Sequence, residues 1–355
     1  MNEVPELLTR AREALLTGDM QSALSLSKQA VLLNPSDVDA NYLQGLACFH
    51  SGDLVNAIAI LSPIAAVLPN IAILQTTLGN ACHRLSEFSQ AEAHYRAAVA
   101  LAPDSVSDLL GLVSVLYSTN RTEEAALFSG LVAQTAGRLR ARELLSAELA
   151  GQKAPVIFDV GANAGITTRQ FLSSFPSATI HAFEPHPTLF AKLSETFHGS
   201  ERVVLNNCGL GNACGTLTFN QSSDLGSSSF LAFDKTSPYV AGIRLSTESS
   251  MQANVLTVDS YCRERGVNHI HLLKLDIQGF EPQVLEGSVE MLSRGAIDCI
   301  QLEIIFRDFY STPSSFYDVE KWIQPYGYRL KSVFDIYPGQ GSQLFQLDAI
   351  YTRKS

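Results

Sequence analysis

Val156-Ile157-Phe158-Asp159-Val160-Gly161-Ala162-Asn163-Ala164-Gly165 decides how the second half of this chain folds. A short apolar run, long enough for one strand, enters a glycine-rich turn, and a helical pattern follows to about Phe175. Thr179–Phe183 is a second apolar run ending at Glu184-Pro185, again followed by a helical stretch, here through Leu193. Residues 203–205, 271–275 and 297–302 read as three further strands, and 329–336 with 344–351 as a terminal antiparallel pair. Strands separated by helices predict an α/β unit with a doubly wound, mostly parallel sheet of the Rossmann-like kind. Its ligand belongs at the carboxyl ends of the strands, beside the first one, where strand order reverses.

The strand ends carry the candidate chemistry. Asp159, Gly161, Asn163 and Gly165 follow strand one, where glycines permit a tight turn and close approach of backbone N–H groups to an anion. Glu184 ends strand two, about 20 residues beyond the loop, at the spacing of an acid that accepts ribose hydroxyls. A nicotinamide dinucleotide is the rival ligand. Its fingerprint wants G-x-G-x-x-G, and Asn163 stands at the second glycine. An acid before the loop, Asp159, also suits an ammonium-bearing ligand better than a pyrophosphate.

Residues 158–165 resemble the D-V-G-A-N-x-G signature of FkbM-type methyltransferases. His181-Ala182-Phe183-Glu184-Pro185 is similar to that family's strand-two ending, and residues 273–281 to its K-x-D-x-E/Q-G-x-E segment. Val284-Leu285-Glu286-Gly287 matches the helix after it, and the blocks keep the family's order over about 155–352. The resemblance implies S-adenosyl-L-methionine as cofactor, its carboxylate at the loop and its ammonium near Asp159. It implies methyl transfer to a hydroxyl of a sugar or natural-product acceptor. Asp276 is the first candidate for general base, with holding the methionine ammonium or capping a helix as the plainer roles. Glu303 and Glu281 are further candidates to face the acceptor, Glu281 with a structural alternative. Asn207 is placed near the adenine edge. Gln278 stands where Glu is common and receives no acid–base role, because an amide is no base. His186 reads as a surface helix-start residue, with facing the adenosine or the acceptor as the alternative, Asp259 as the N-cap of a helix through Arg265, and 221–230 as a long polar loop, either a lid or a flexible hairpin connection. No metal-ligand set is expected.

The first half obeys a different period. Ala23, Ala57, Ala91 and Ala125 recur at about 34 residues, and Pro35, Pro69 and Pro103 recur in phase. Gly18-Asp19 and Gly52-Asp53 open second helices, a place taken later by Ser86-Glu87 and Asn120-Arg121, while Gly45 and Gly79 mark close helix crossings. This resembles the tetratricopeptide family over about 4–137, the fourth unit having lost its proline and joining a capping helix near 138–149. The expected domains are 1–150, the helical repeats, and 151–355, the methyltransferase, with a hinge at 151–155. Such repeats imply a protein partner or self-association.

The net charge of −10 and the lack of a Lys/Arg cluster argue against nucleic acid and anionic membrane as partners. Six cysteines without a CxxC pair read as reduced, buried thiols, and neither a signal peptide nor an apolar run of membrane-spanning length is evident. A cytoplasmic enzyme is the expectation. The rivals are a scaffold that binds cofactor without reacting and a methyltransferase for protein acceptors delivered through the repeats.

Overall fold

The computed structural model describes residues 3–223, 225–234, 246–306, 310, 315–338 and 344–353. Two compact units divide the chain, Met1–Ala136 and Gly137–Ser355. Among the described residues no helix is long and apolar enough to cross a membrane.

The first unit is a run of paired helices: α1 (Glu3–Thr17), α2 (Met20–Leu33), α3 (Val38–Ser51), α4 (Leu54–Val67), α5 (Ala72–Arg84), α6 (Phe88–Leu101), α7 (Val106–Ser118) and the start of α8 (Thr122–Leu149). The recurring alanines are fully buried where second helices meet first ones. A Cβ on Gly45 would lie 2.4 Å from Leu61, so the close crossing requires glycine. The four intra-repeat turns share one backbone state: φ is 81° at Gly18, 89° at Gly52, 62° at Ser86 and 60° at Asn120. The left-handed turn, not the glycine, is the repeating element. Where prolines stop α2, α4 and α6, the fourth unit carries Gly137, and α8 continues unbroken to Leu149.

That continuation bears on the division of the chain. Ala141, Leu145 and Leu149 are buried against Ile157, Leu272, Cys299, Phe334 and Ile350, so the end of α8 belongs to the core of the second unit. The Arg138 guanidinium also holds Asp335 at 2.7 Å. The compact units therefore part at Ala136, earlier than the 150/151 boundary read from composition.

In the second unit, β1 (Val156–Val160), β2 (Thr179–Phe183), β3 (Val203–Asn206), β7 (Ile270–Leu275) and β8 (Ile297–Ile305) run parallel, and β10 (Leu344–Arg353) and β9 (Tyr328–Pro338) close one edge antiparallel. The order β3-β2-β1-β7-β8-β10-β9 reverses at β1, which makes the space beyond β1 and β7 the switch point. Helices α9 (Ile166–Ser174) and α10 (Pro187–Thr196) follow β1 and β2.

A second, three-stranded sheet has the order β4-β6-β5, from Gly209–Leu210, Thr247–Leu256 and Gly215–Ser222. The expected polar loop at 221–230 starts inside β5, and Asp224 of that loop lies outside the described residues. Asp259 does not cap the helix Val258–Arg265, which Thr257 and Ser260 cap reciprocally. Its carboxylate, in the first turn of Val258–Arg265, instead accepts the amides of Glu290 and Met291 at the start of the helix Val289–Ser293.

Candidate active site

The loop after β1 holds three left-handed residues in five: Gly161 (φ 79°), Asn163 (φ 51°) and Gly165 (φ 88°). At Gly161 a Cβ would meet the Asp276 carbonyl oxygen at 2.0 Å, so β1 and β7 approach there as only glycine allows. The loop amides turn inward. Gly161 and Ala162 donate to the Phe183 carbonyl, Asn163 to Glu184 Oε2 at 2.9 Å, Ala164 to Asn163 Oδ1 and Gly165 to the Ala162 carbonyl. Helix α9 opens at Gly165 without a side-chain cap, and Ile166 and Thr167 of its first turn line the cavity. The loop amides are thus engaged within the protein, and the first turn of α9 carries no side-chain cap.

Glu184 is buried, and its two oxygens accept Asn163 N–H and His186 N–H at 2.9 and 2.8 Å. Burial raises its pKa, an effect the two amides partly offset. His186 is the N-cap of α10, its Nδ1 accepting Leu189 N–H, and it is buried rather than at the surface. Asn207 is exposed and spends its amide on the Glu184 carbonyl at 2.9 Å, which secures the end of β2.

A cavity of about 330 Å³ opens between these strand ends, within the usual size of small-molecule sites. Gly161, Asn163, Glu184 and Asp276 line it. Phe219 and Phe230 form one wall, ring centroids 4.9 Å apart, and Phe280 backs Phe230 at 5.2 Å. Ser229 ties this wall down: its hydroxyl donates to the Gln278 carbonyl at 2.9 Å, and Asn220 and Ser229 form a bridge to β5.

Asp159 lies beneath the cavity. It is fully buried, accepts the Thr168 hydroxyl at 2.6 Å and pairs with Lys274 Nζ at 3.0 Å. Lys274, which sequence reasoning passed over, sits opposite Asp159 in the β1–β7 register, lines the cavity and reaches Asp276 Oδ2 at 3.5 Å. Burial alone lowers an ammonium's pKa; here Asp159 and Asp276 override it and hold Lys274 above the usual lysine range.

The acids beyond β7 divide by exposure. The Asp276 side chain is 47% exposed, whereas Glu303 and Glu281 are buried. Glu303 accepts amide donors from Gln278 and Gln346, both at 2.8 Å, and burial with neighbouring Asp276, Glu281 and Asp348 raises its pKa well above the ordinary value. Burial, with Asp276 next, also pushes Asp348 up to about 7. Glu281 takes the Ile277 amide on Oε1 at 3.0 Å, a turn-closing contact, and burial pushes it up to about 8.

Glu281 predicts a pH-dependent stability. Between the ordinary value of 4.5 and about 8 the folded chain keeps a proton that the unfolded chain has released, so stability falls as pH rises through that window. Glu281→Gln retains an acceptor for Ile277 N–H and has no proton to lose. Relative to the parent, the variant is expected to gain roughly 2–5 kcal/mol on going from about pH 5 to pH 8 in urea unfolding. Parallel stability curves for the two proteins would refute the assignment.

Among the described residues His269, His271 and Asp298 also cluster, near the amino ends of β7 and β8. His271 Nδ1 accepts Val156 N–H at 2.9 Å, which places its proton on Nε2 and leaves that ring without a lone pair for an ion. His269 is paired with Asp298 at 2.8 Å.

Residues 159–330 match the methyltransferase FkbM domain, and residues 8–64 and 76–138 match tetratricopeptide repeats. The 2-O-methyltransferase NoeI of Sinorhizobium fredii is 30% identical over 148 residues, 39% of this chain and 60% of that protein. The hexuronic acid methyltransferase AglP of Haloferax volcanii is 30% identical over 139 residues, 39% of this chain and 51% of that protein. The chain thus spans between 51% and 60% of the length of these two relatives. A solved MamA structure from Desulfovibrio magneticus, 20% identical, covers 38% of this chain and 77% of its own with a TM-score of 0.37.

Proposed function

We propose, from the premise that residues 159–330 are a methyltransferase FkbM domain preceded by tetratricopeptide repeats, that this chain methylates a hydroxyl oxygen with S-adenosyl-L-methionine as donor. The acceptor class is a sugar or a natural-product alcohol, in line with the relatives named for 2-O- and hexuronic acid methylation. One observation carries the reading: a single cavity joins Glu184, the uncapped start of α9 and the exposed carboxylate of Asp276. The cofactor fits these groups chemically. Glu184 has lone pairs left for ribose hydroxyls, and the α9 terminus suits a carboxylate.

When bound, the sulfonium supplies an activated methyl group. The chain's own residues hold and align. Phe219 and Phe230 wall the cavity, and Ser229 pins that wall to the turn after β7. Asp276 Oδ would take the proton that the acceptor hydroxyl gives up on methylation. The repeat unit binds a protein partner or a second copy of the chain.

The test is calorimetric titration with S-adenosylhomocysteine and with NADH. It is joined by mass-spectrometric detection of methyl transfer from S-adenosyl-L-methionine to a panel of sugars and polyketide alcohols. Micromolar binding of S-adenosylhomocysteine alone and a methylated panel member are expected. Binding of NADH instead, or of neither ligand, would overturn the proposal.

A further inference from the structure

We propose that Gln278 is a positioning residue for the Asp276 carboxylate, its neutral amide tying Asp276 to the buried Glu303 within a row of acids. The sheet creates that row. Asp276 follows β7, Glu303 lies on the adjacent β8, and Asp348 on β10 is directly opposite Glu303 in the register. Side chains directly opposite across an antiparallel pair share a face, so the last two are neighbouring acids.

Gln278 is inserted where such a row needs a donor. Its Nε2 donates to Glu303 Oε2 at 2.8 Å and approaches Asp276 Oδ1 at 3.5 Å, while its Oε1 accepts the Tyr310 hydroxyl at 3.0 Å. The same hydroxyl also lies 3.1 Å from the Ser227 carbonyl. The backbone is held as firmly: φ is 59°, a left-handed state unfavourable for a side-chain-bearing residue, and the Ser229 hydroxyl donates to the Gln278 carbonyl at 2.9 Å. A residue kept in that state, with both amide atoms engaged and its side chain lining the cavity, is placed for its side chain.

Among the described residues, charged groups approach Asp276 from each packed element. Lys274 comes from β7, Asp159 from β1 through its pair with Lys274, Glu303 from β8, Asp348 from β10 and Glu281 from the helix that follows. Lys274 is the one cation of this set. A glutamate at 278 adds an acid to it, and like charge disfavours ionisation of Asp276.

The titration of Asp276 itself tests this, in the full chain carrying isotope-labelled aspartate. The Asp276 signal is assigned by its loss in Asp276→Asn and followed by NMR across pH. In Gln278→Glu its inflection is expected to move up by about one pH unit. Gln278→Met, neutral but unable to donate, is expected to move the Asp276 signal and raise the inflection by less. An inflection at the parental position in a Gln278→Glu protein that melts like the parent overturns the proposal. Should that variant not fold, an unchanged signal and inflection in Gln278→Met overturns it instead. With an acceptor in hand, the acid limb of kcat should follow the inflection while KM holds. The catalytic consequence rests on the methyltransferase reading, but the titration does not. Absent S-adenosylhomocysteine binding by the parent sinks that reading alone, whereas an unchanged titration with binding intact sinks Gln278 alone.

Discussion

Glu184→Ala is expected to weaken S-adenosylhomocysteine binding by at least about 100-fold, close to 2.7 kcal/mol. The carboxylate acts twice. Its oxygens accept the amides of Asn163 and His186, and the same group lines the cavity where a ribose would lie. Truncation leaves two inward-facing N–H donors without an acceptor, at about 1–3 kcal/mol each. It also frees Asn163, whose φ of 51° needs an anchor, so the loop loses its shape as well as its partner. Glu184→Gln should be milder. One amide oxygen replaces one of two acceptors, and a neutral group escapes the burial that raises the carboxyl pKa. A loss of about tenfold is expected, with smaller damage to unfolding stability. Calorimetry on all three proteins, alongside urea unfolding, checks both parts. Glu184→Ala binding within about threefold of the parent would remove Glu184 from the cofactor site.

The parallel sheet was legible because short, largely apolar runs such as 156–160 and 179–183 end at a glycine or a Glu-Pro and alternate with helical stretches. The second sheet was not. Gly215–Ser222 and Thr247–Leu256 are exposed over their first four residues and rich in Thr, Ser, Asn and Gln, so no clean alternation marks them. The loop glycines and Glu184 were legible for a local reason, since a turn and a strand end lie within one stretch of chain. Lys274 was missed for the opposite reason. Within Ile270–Leu275 it looks like a polar interruption, and only the β1–β7 register reveals that it faces Asp159. The same pairing turns Asp159 from an open ligand for a cofactor ammonium into a buried counterion. Pairing across a sheet is non-local, and spacing along one strand does not contain it. The boundary near Gly137 is another case. The lost proline was visible, but the packing of Ala141, Leu145 and Leu149 that keeps α8 going depends on strands far along the chain.

Asp276→Asn is expected to cut turnover on the panel-identified acceptor by about 100- to 10,000-fold, the range for loss of a positioned general base. The choice of Asp276 over its neighbours follows from exposure and partners. Glu281 is closed off and engaged with the Ile277 amide, and Glu303 is buried between two amide donors. Asp276 alone of the three lines the cavity, with nearly half of its side chain open to it or to solvent. Asparagine keeps the size and one acceptor, so Gln278 retains a partner, and Lys274 keeps its closer pair with Asp159 at 3.0 Å. The cofactor pocket should therefore survive, and S-adenosylhomocysteine affinity should stay within about threefold while kcat falls. The ratio of the two effects separates the roles open to this carboxylate. A base acts on the proton of the acceptor and costs kcat; a counterion for the methionine ammonium acts on the bound ground state and costs affinity. If Asp276→Asn weakens S-adenosylhomocysteine as much as it slows turnover, Asp276 holds the cofactor and the proton leaves by another route. If it does neither, the carboxylate is a spectator, and the exposed acid at the end of β7 has no part in the chemistry.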